Sequence, residues 1–162
     1  MNKLDVIQSK IIDINNIEPL LTLWKLKNRK LVFTNGCFDI IHRGHVEYLA
    51  EAANCGNELI VGVNTDNSVQ RLKGKMRPVQ DEIARAMIIA ALQFVSAVIL
   101  FDDDTPYELI KRIQPDVLIK GSDYDIKNIV GYDIVKAKGG EVKTIDFIDG
   151  YSTTSIIEKL KK

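Results

Sequence analysis

Histidine and cysteine are scarce here, with two of each in 162 residues. Cys37 and Cys55 lie far apart without C-x-x-C spacing, which excludes a disulfide framework and a structural zinc site and fits a reducing compartment. Excess charge is lacking too. Lys plus Arg total 22 and Asp plus Glu total 22, so no field draws the whole molecule onto nucleic acid or an anionic membrane. Interleaving of basic and aromatic residues is also missing, and neither nucleic-acid nor membrane partners are expected. No run approaches 18 apolar residues, and no N-terminal apolar stretch leads to a small-residue cleavage site, so a cytoplasmic chain is expected. Low-complexity linkers and internal repeats are missing. What remains is ordinary globular composition, 46% hydrophobic and 27% charged, in a length that builds one core.

Five short apolar runs punctuate the chain: Leu31 to Thr34, Leu59 to Val63, Ala97 to Phe101, Val117 to Ile119 and Val142 to Ile145. Continuous apolar runs predict strands buried on both faces. Helical stretches separate them, at His45 to Ala53, Asp81 to Phe94, Pro106 to Ile113 and Ile134 to Lys138, with a last one at Ser152 to Leu160. Thr105-Pro106-Tyr107-Glu108 has capping-box spacing. Such alternation predicts an α/β fold, a Rossmann-like doubly wound sheet of about five parallel strands with flanking helices. Residues 1–28 read as an N-terminal helical appendage to residues 29–162, with a helix over Ile17 to Leu26 that carries Leu20, Leu23 and Trp24 on one side. Ligands of such sheets bind beyond the carboxyl ends of the strands.

The first strand-to-helix connection holds both histidines, in His42-Arg43-Gly44-His45. Gly36 and Gly44 let backbone N–H groups approach a ligand, and the helix starting near Gly44 points its positive end into the same space. This pattern predicts an anion site in which both imidazoles donate to phosphate oxygens; the alternative is that they cap or fill the core. A metal site would need a third ligand, for which Asp39 is the one nearby candidate, and a helix N-terminus disfavours a bound cation, so no protein-held metal is expected. Arg71, Lys73, Lys75 and Arg77 follow without an intervening acid, either a phosphate-binding loop or a solvated basic face. Its glycine and methionine suggest closure over substrate. Asp102-Asp103-Asp104 reads as a solvated loop leading to the Thr105 cap, and Cys37 as a small buried residue.

Thr34-Asn35-Gly36-Cys37-Phe38-Asp39 with His42-x-Gly44-His45 resembles the HxGH nucleotidyltransferase superfamily, in its cytidylyltransferase-like branch. The match continues through Val63-Asn64-Thr65-Asp66, Arg71 to Gly74, Arg77-Pro78, Asp103 to Pro106, Pro115 to Tyr124 and Gly150 to Ile157. As an ordered series these blocks resemble the heptose 1-phosphate adenylyltransferases of that branch. The resemblance implies transfer of AMP from ATP to D-glycero-β-D-manno-heptose 1-phosphate, giving ADP-heptose and pyrophosphate for surface-glycan assembly such as lipopolysaccharide. A cytidylyltransferase of glycerol 3-phosphate or a similar polyol phosphate, and a non-catalytic nucleotide sensor, remain alternatives.

Carried over by the motifs, His42, His45 and Lys73 would act on the triphosphate. The nucleotide would touch the first loop at Thr34, Asn35, Gly36, Phe38, Asp39 and Gly44. It would meet the fourth strand's end at Lys120, Gly121 and Asp123, and the last helix at Ser152, Thr153 and Thr154. Asn64, Lys73 and Arg77 would hold the sugar phosphate. Ser152 could equally be a plain N-cap. Where the superfamily pattern ISSTxxR has arginine this chain has Ile157, leaving Lys120, Lys73 or Arg77 to substitute. Magnesium would arrive on the ATP phosphates. The resemblance also implies a homodimer, and with no room for a kinase domain here, a separate sugar kinase supplying the 1-phosphate.

Overall fold

A computed structural model describes residues 2–123, 125–148 and 150–160; Tyr124 of the Pro115 to Tyr124 block therefore lies outside the described residues. Five strands, β1 (Leu31–Gly36), β2 (Glu58–Asn64), β3 (Ala97–Phe101), β4 (Val117–Gly121) and β5 (Glu141–Ile145), form one parallel sheet in the order β3-β2-β1-β4-β5. The Rossmann-like doubly wound sheet expected from the alternation is what the chain adopts.

The central strands earn their place by composition. Leu31, Val32, Phe33, Leu59, Ile60, Val61, Val98, Ile99, Leu118 and Ile119 are all buried, and side chains of alternating direction feed two cores, one on each face. One core gathers Phe33, Ile60, Ile99 and Leu118; the other gathers Val32, Val61, Val98 and Ile119.

Strand order reverses beside β1. There β1 and β4 share register only at Val32↔Val117 and Phe33↔Leu118, so past those pairs Thr34 to Gly36 and Ile119 to Gly121 part company. The divergence opens a crevice at the carboxyl ends of both strands, the position where open parallel sheets take ligands.

Eight α-helices cover the described sheet: α1 (Lys3–Gln8), α2 (Glu18–Leu26), α3 (Arg43–Ala53), α4 (Asp66–Lys73), α5 (Glu82–Ala90), α6 (Tyr107–Ile113), α7 (Tyr132–Ala137) and α8 (Thr153–Leu160). None is long and apolar enough to cross a membrane. Several expectations need correction. Helix α5 stops at Ala90 rather than Phe94, because the chain tightens into turns (Leu92 N–H to Ile89 O, Val95 N–H to Leu92 O) that deliver buried Val95 to the sheet. Thr105 does not cap α6; Pro106 is its N-cap and no side chain bonds to that end. On α2, Trp24 is buried and Leu20 packs on the core as expected, but Leu21 is buried in place of Leu23, which is 44% exposed. Ile17, Leu21 and Trp24 belong to the first core, and Ile11 bridges Val98 on β3, so the N-terminal segment packs on the sheet.

Two helices escaped the sequence reading. Asn2 and Asp5 form a reciprocal capping box that starts α1, and Thr65 accepts the Ser68 N–H to start α4. Arg71 and Lys73 consequently stand on the last turn of a helix, with the loop proper beginning at Gly74 (φ 93°).

Candidate active site

The crevice is a cavity of about 520 Å³, and a neighbouring one of about 540 Å³ shares His45, Lys73, Arg77, Phe147 and Thr153 with it. The first runs along the ends of β1 and β4 and takes in Asn35, Gly36, Phe38, Asp39, Asn64, Lys120, Gly121 and Asp123. The second runs over the start of α3 and α8, past His42, Gly44, Ser152 and Thr154. Thr34 lines neither: it is fully buried and its hydroxyl pairs with that of Tyr48 at 2.8 Å, a structural contact beneath the site.

His42 is the N-cap of α3, and its carbonyl receives the first helical N–H groups, from His45 and Val46. One turn brings the two imidazoles face to face, with centroids 3.9 Å apart and planes 24° from parallel. Phe38 meets His45 edge-on at 5.6 Å and Tyr151 flanks His42 at 6.3 Å. A helix N-terminus, a second imidazole and Lys73 make this an electropositive place. Burial, then the charges of His42 and Lys73, press the His45 pKa down to about 4; burial lowers that of His42. Both rings are therefore neutral near pH 7 when nothing is bound. The Nδ1 atoms of His42 and His45 and Oδ1 of Asn35 are buried with no hydrogen-bond partner among the described residues, polar capacity that a ligand can take up.

Asp39 is the busiest acid here. It is 2% exposed, and its carboxylate accepts from Arg77 Nε at 2.8 Å, Val79 N–H at 2.9 Å and Gln80 N–H at 3.0 Å. Burial alone would raise its pKa, but those three donors outweigh it and hold the group ionised. Its backbone neighbours Phe38 (φ 48°) and Ile40 (φ 50°) are both left-handed, a conformation costing about 1–2 kcal/mol for each non-glycine residue. Thr153 reaches across to donate to the Asp39 carbonyl at 2.7 Å, which docks α8 on the loop. Ser152 caps that helix, accepting the Ser155 N–H at 3.1 Å; an accepting hydroxyl still has its proton to donate.

Lys120 lies at the crevice floor. Burial lowers its pKa to about 8, against the opposing pull of Asp123 and Cys37. Cys37 is half-buried and lines the cavity, so it is not the buried core residue expected. The acidic triplet is tied down: Asp102 and Asp104 both pair with Arg71, the latter at 2.7 Å, and Asp102 accepts from Thr65. Arg71 therefore serves the β3 end, whereas Lys73 and Arg77 face the cavities. No three His, Cys, Asp or Glu side chains converge as a metal cage among the described residues.

Tyr48, Leu72, Asp104, Thr105, Pro106 and residues 128–130, none of them marked as a ligand contact by the sequence motifs, complete the first cavity. Phe147 was also missed; it stacks on Tyr48 at 5.7 Å and covers Gly121, so that a Cβ there would fall within its ring. Only the crossing of distant loops brings these residues in.

A cytidylyltransferase-like family model matches residues 33–159. The bifunctional protein HldE of Wolinella succinogenes is 49% identical over 154 residues, 95% of this chain and 32% of that protein. Its counterpart in Campylobacter jejuni subsp. jejuni serotype O:6 is 55% identical over 148 residues, 91% of this chain and 31% of that protein. The chain thus spans about a third of the length of these curated relatives. Among solved structures, the lipopolysaccharide core biosynthesis protein from Thermoplasma volcanium GSS1 superposes with a TM-score of 0.62 at 31% identity, covering 76% of this chain and 99% of that one.

Proposed function

The chain belongs to the cytidylyltransferase-like family, and from that premise we propose that it is a sugar-phosphate adenylyltransferase, joining AMP from ATP to a heptose 1-phosphate with release of pyrophosphate. The observation that carries the reading is the stacked His42–His45 pair at the N-terminus of α3, facing the same cavities as Lys73 and Arg77. Half identity to the HldE proteins supports the choice of acceptor.

The chemistry asks for no general base. A phosphate oxygen of the acceptor is already anionic; it bonds to the α-phosphorus as the bond from that phosphorus to the bridging oxygen of pyrophosphate breaks. Charge builds on the non-bridging oxygens, and prearranged donors stabilise it. In this reading His42 and His45 donate there, and the N–H groups opening α3 take the phosphates. Ser152, Thr153 and Thr154 border the triphosphate; Lys120, Gly121 and Asp123 face the nucleoside beside Asn35, Gly36 and Phe38. Lys73, Arg77 and Asn64 receive the acceptor phosphate, and Lys120 takes the charge that an arginine at position 157 would supply. Magnesium belongs to the nucleotide substrate, coordinated by its phosphates; Asp39, committed to three donors, stays a brace for Arg77.

The same proposal takes residues 29–162 as the transferase unit and 1–28 as an extension, in a cytoplasmic homodimer; Leu23 and Leu26, exposed on α2, support a paired face. A kinase acting on the anomeric hydroxyl must supply the acceptor.

Pyrophosphate release with magnesium, crossing ATP, CTP, GTP and UTP against heptose 1-phosphate, glycerol 3-phosphate and hexose 1-phosphates, tests it. Release confined to ATP with heptose 1-phosphate is expected. Release with CTP and a polyol phosphate would keep the mechanism and replace the substrates, and saturable ATP binding without release from any pair would replace the enzyme by a sensor.

A further inference from the structure

Arg85 is the largest fully buried side chain in the described protein and touches neither cavity. Its guanidinium makes three hydrogen bonds into three separate segments. Nη1 donates to the Cys37 carbonyl at 2.6 Å, Nε to the Gln80 carbonyl at 3.0 Å, and Nη2 to Asp66 Oδ1 at 2.7 Å. The first is the loop after β1, the second the loop that carries Arg77, the third the opening residue of α4, which ends at Lys73.

Gln80 is held from every side. Its N–H goes to Asp39, its carbonyl takes Arg85, and its side-chain Oε1 accepts the Ile40 N–H at 3.2 Å. These bonds grip the stretch Cys37 to Ile40 that holds the two left-handed residues. Strained backbone persists where its surroundings over-determine it, and here the over-determination comes from Gln80 and Arg85. Stability alone does not call for a buried arginine, because an apolar side chain of similar volume serves a core as well or better. What an apolar residue lacks is a planar fork with donors in fixed directions.

We infer that Arg85 is a positioning residue: through Cys37, Gln80 and Asp66 it fixes the loop that leads into His42 and His45 against the two segments that bear Lys73 and Arg77. It touches no substrate, and the inference rests on the nucleotidyltransferase reading for its kinetic consequence.

The experiment uses Arg85→Lys, Arg85→Met and Asp66→Asn in the full chain. The asparagine variant keeps both carbonyl bonds of Arg85 and an amide oxygen toward Nη2, and weakens the tie to α4 at a residue one-third exposed, so it disturbs the fold less than Arg85→Met. Variants retaining the parent circular dichroism are assayed for pyrophosphate release and ATP affinity, and for backbone hydrogen exchange. Expected are a kcat lowered at least tenfold for Arg85→Lys and three- to tenfold for Asp66→Asn, with KM and Kd for ATP within about threefold, as when an interaction made only in the transition state is lost. Exchange should quicken within residues 36–40 and 66–80 and stay unchanged in the central strands. Folded Arg85→Lys with kcat within twofold of the parent, or with exchange quickened uniformly, overturns the inference. If the parent itself turns nothing over, the functional reading fails separately; exchange confined to those segments then upholds the brace, and uniform or unchanged exchange refutes it.

Discussion

His42 and His45 stack at 3.9 Å because one caps the helix on whose first turn the other stands. Burial disfavours protonation of both rings, and at His45 the charges of His42 and Lys73 add to it, so each remains a neutral hydrogen-bond donor until an anion arrives. The pair is a receiver of negative charge more than a source of protons.

Replacing either ring should therefore damage turnover more than the fold. His45→Ala is expected to lower kcat about a hundredfold or more, the usual cost of one donor to a transition-state oxyanion, with pyrophosphate release as the measurement. Lys73→Ala, at an exposed position, should lose activity with the melting temperature of the parent.

Acid should loosen the protein through His45. Its pKa is about 4 when folded against 6.5 when unfolded, so between those values the unfolded chain binds a proton that the folded one refuses. Stability is complete above pH 6.5 and falls as the pH drops toward 4, by at most about 3 kcal/mol from this group. Urea midpoints at pH 7 and pH 5 measure the loss; the difference should shrink in His45→Ala, and ATP should oppose it by favouring the protonated ring.

Alkali should weaken nucleotide binding through Lys120. Near pH 8 the buried ammonium of the unliganded protein gives up its proton, and the phosphates lose a counter-charge. ATP affinity measured calorimetrically should decline across pH 7.5 to 9, whereas Lys120→Met should bind weakly at every pH with a flatter profile.

Two glycines should respond oppositely to alanine. At Gly56 a Cβ would stand 2.7 Å from the Lys30 carbonyl oxygen, which the Asn57 and Glu58 N–H groups hold in place, so Gly56→Ala should cost about 1–3 kcal/mol and leave kcat per folded molecule unchanged. At Gly121 the obstacle is the tip of the exposed Phe147 ring, which swings aside. Gly121→Ala should keep the melting temperature within about 2 °C and alter KM for the nucleotide; denaturation and kinetics on the same preparations separate the two.

Much of this architecture is legible in the residues. Continuous apolar runs declare the first four strands, because a strand covered on both faces has no polar side to show, whereas β5, with Glu141 and Lys143 exposed and no residue fully buried, is an edge strand and not the doubly covered one expected. The two histidines mark the loop where phosphate chemistry is expected. Less visible are features decided by tertiary partners. Thr34 reads as a ligand contact within its motif, yet Tyr48 claims its hydroxyl from the next helix. Asp39 reads as a possible ligand, yet Val79, Gln80 and Arg77 arrive some forty residues later to occupy it. Thr105 has the spacing of a cap, but Pro106 takes the N-cap position of α6 and no side chain bonds there. Arg85 sits in an apolar helical stretch where periodicity alone gives no hint of three acceptors.

Strand β1 takes one neighbour, β2, from the strand next in the chain and the other, β4, from beyond β3. The half-sheet β1, β2 and β3 is complete by Phe101, while β4 follows at Val117 and brings Lys120 and Gly121 to the other bank of the crevice. Before β4 docks on Val32 and Phe33, the histidine loop has Lys73 and Arg77 on one side and lacks Lys120 and Gly121 on the other. Non-local contacts of that kind form slowly, so the two banks of the crevice meet only after the local pairing of β1 with β2 is available.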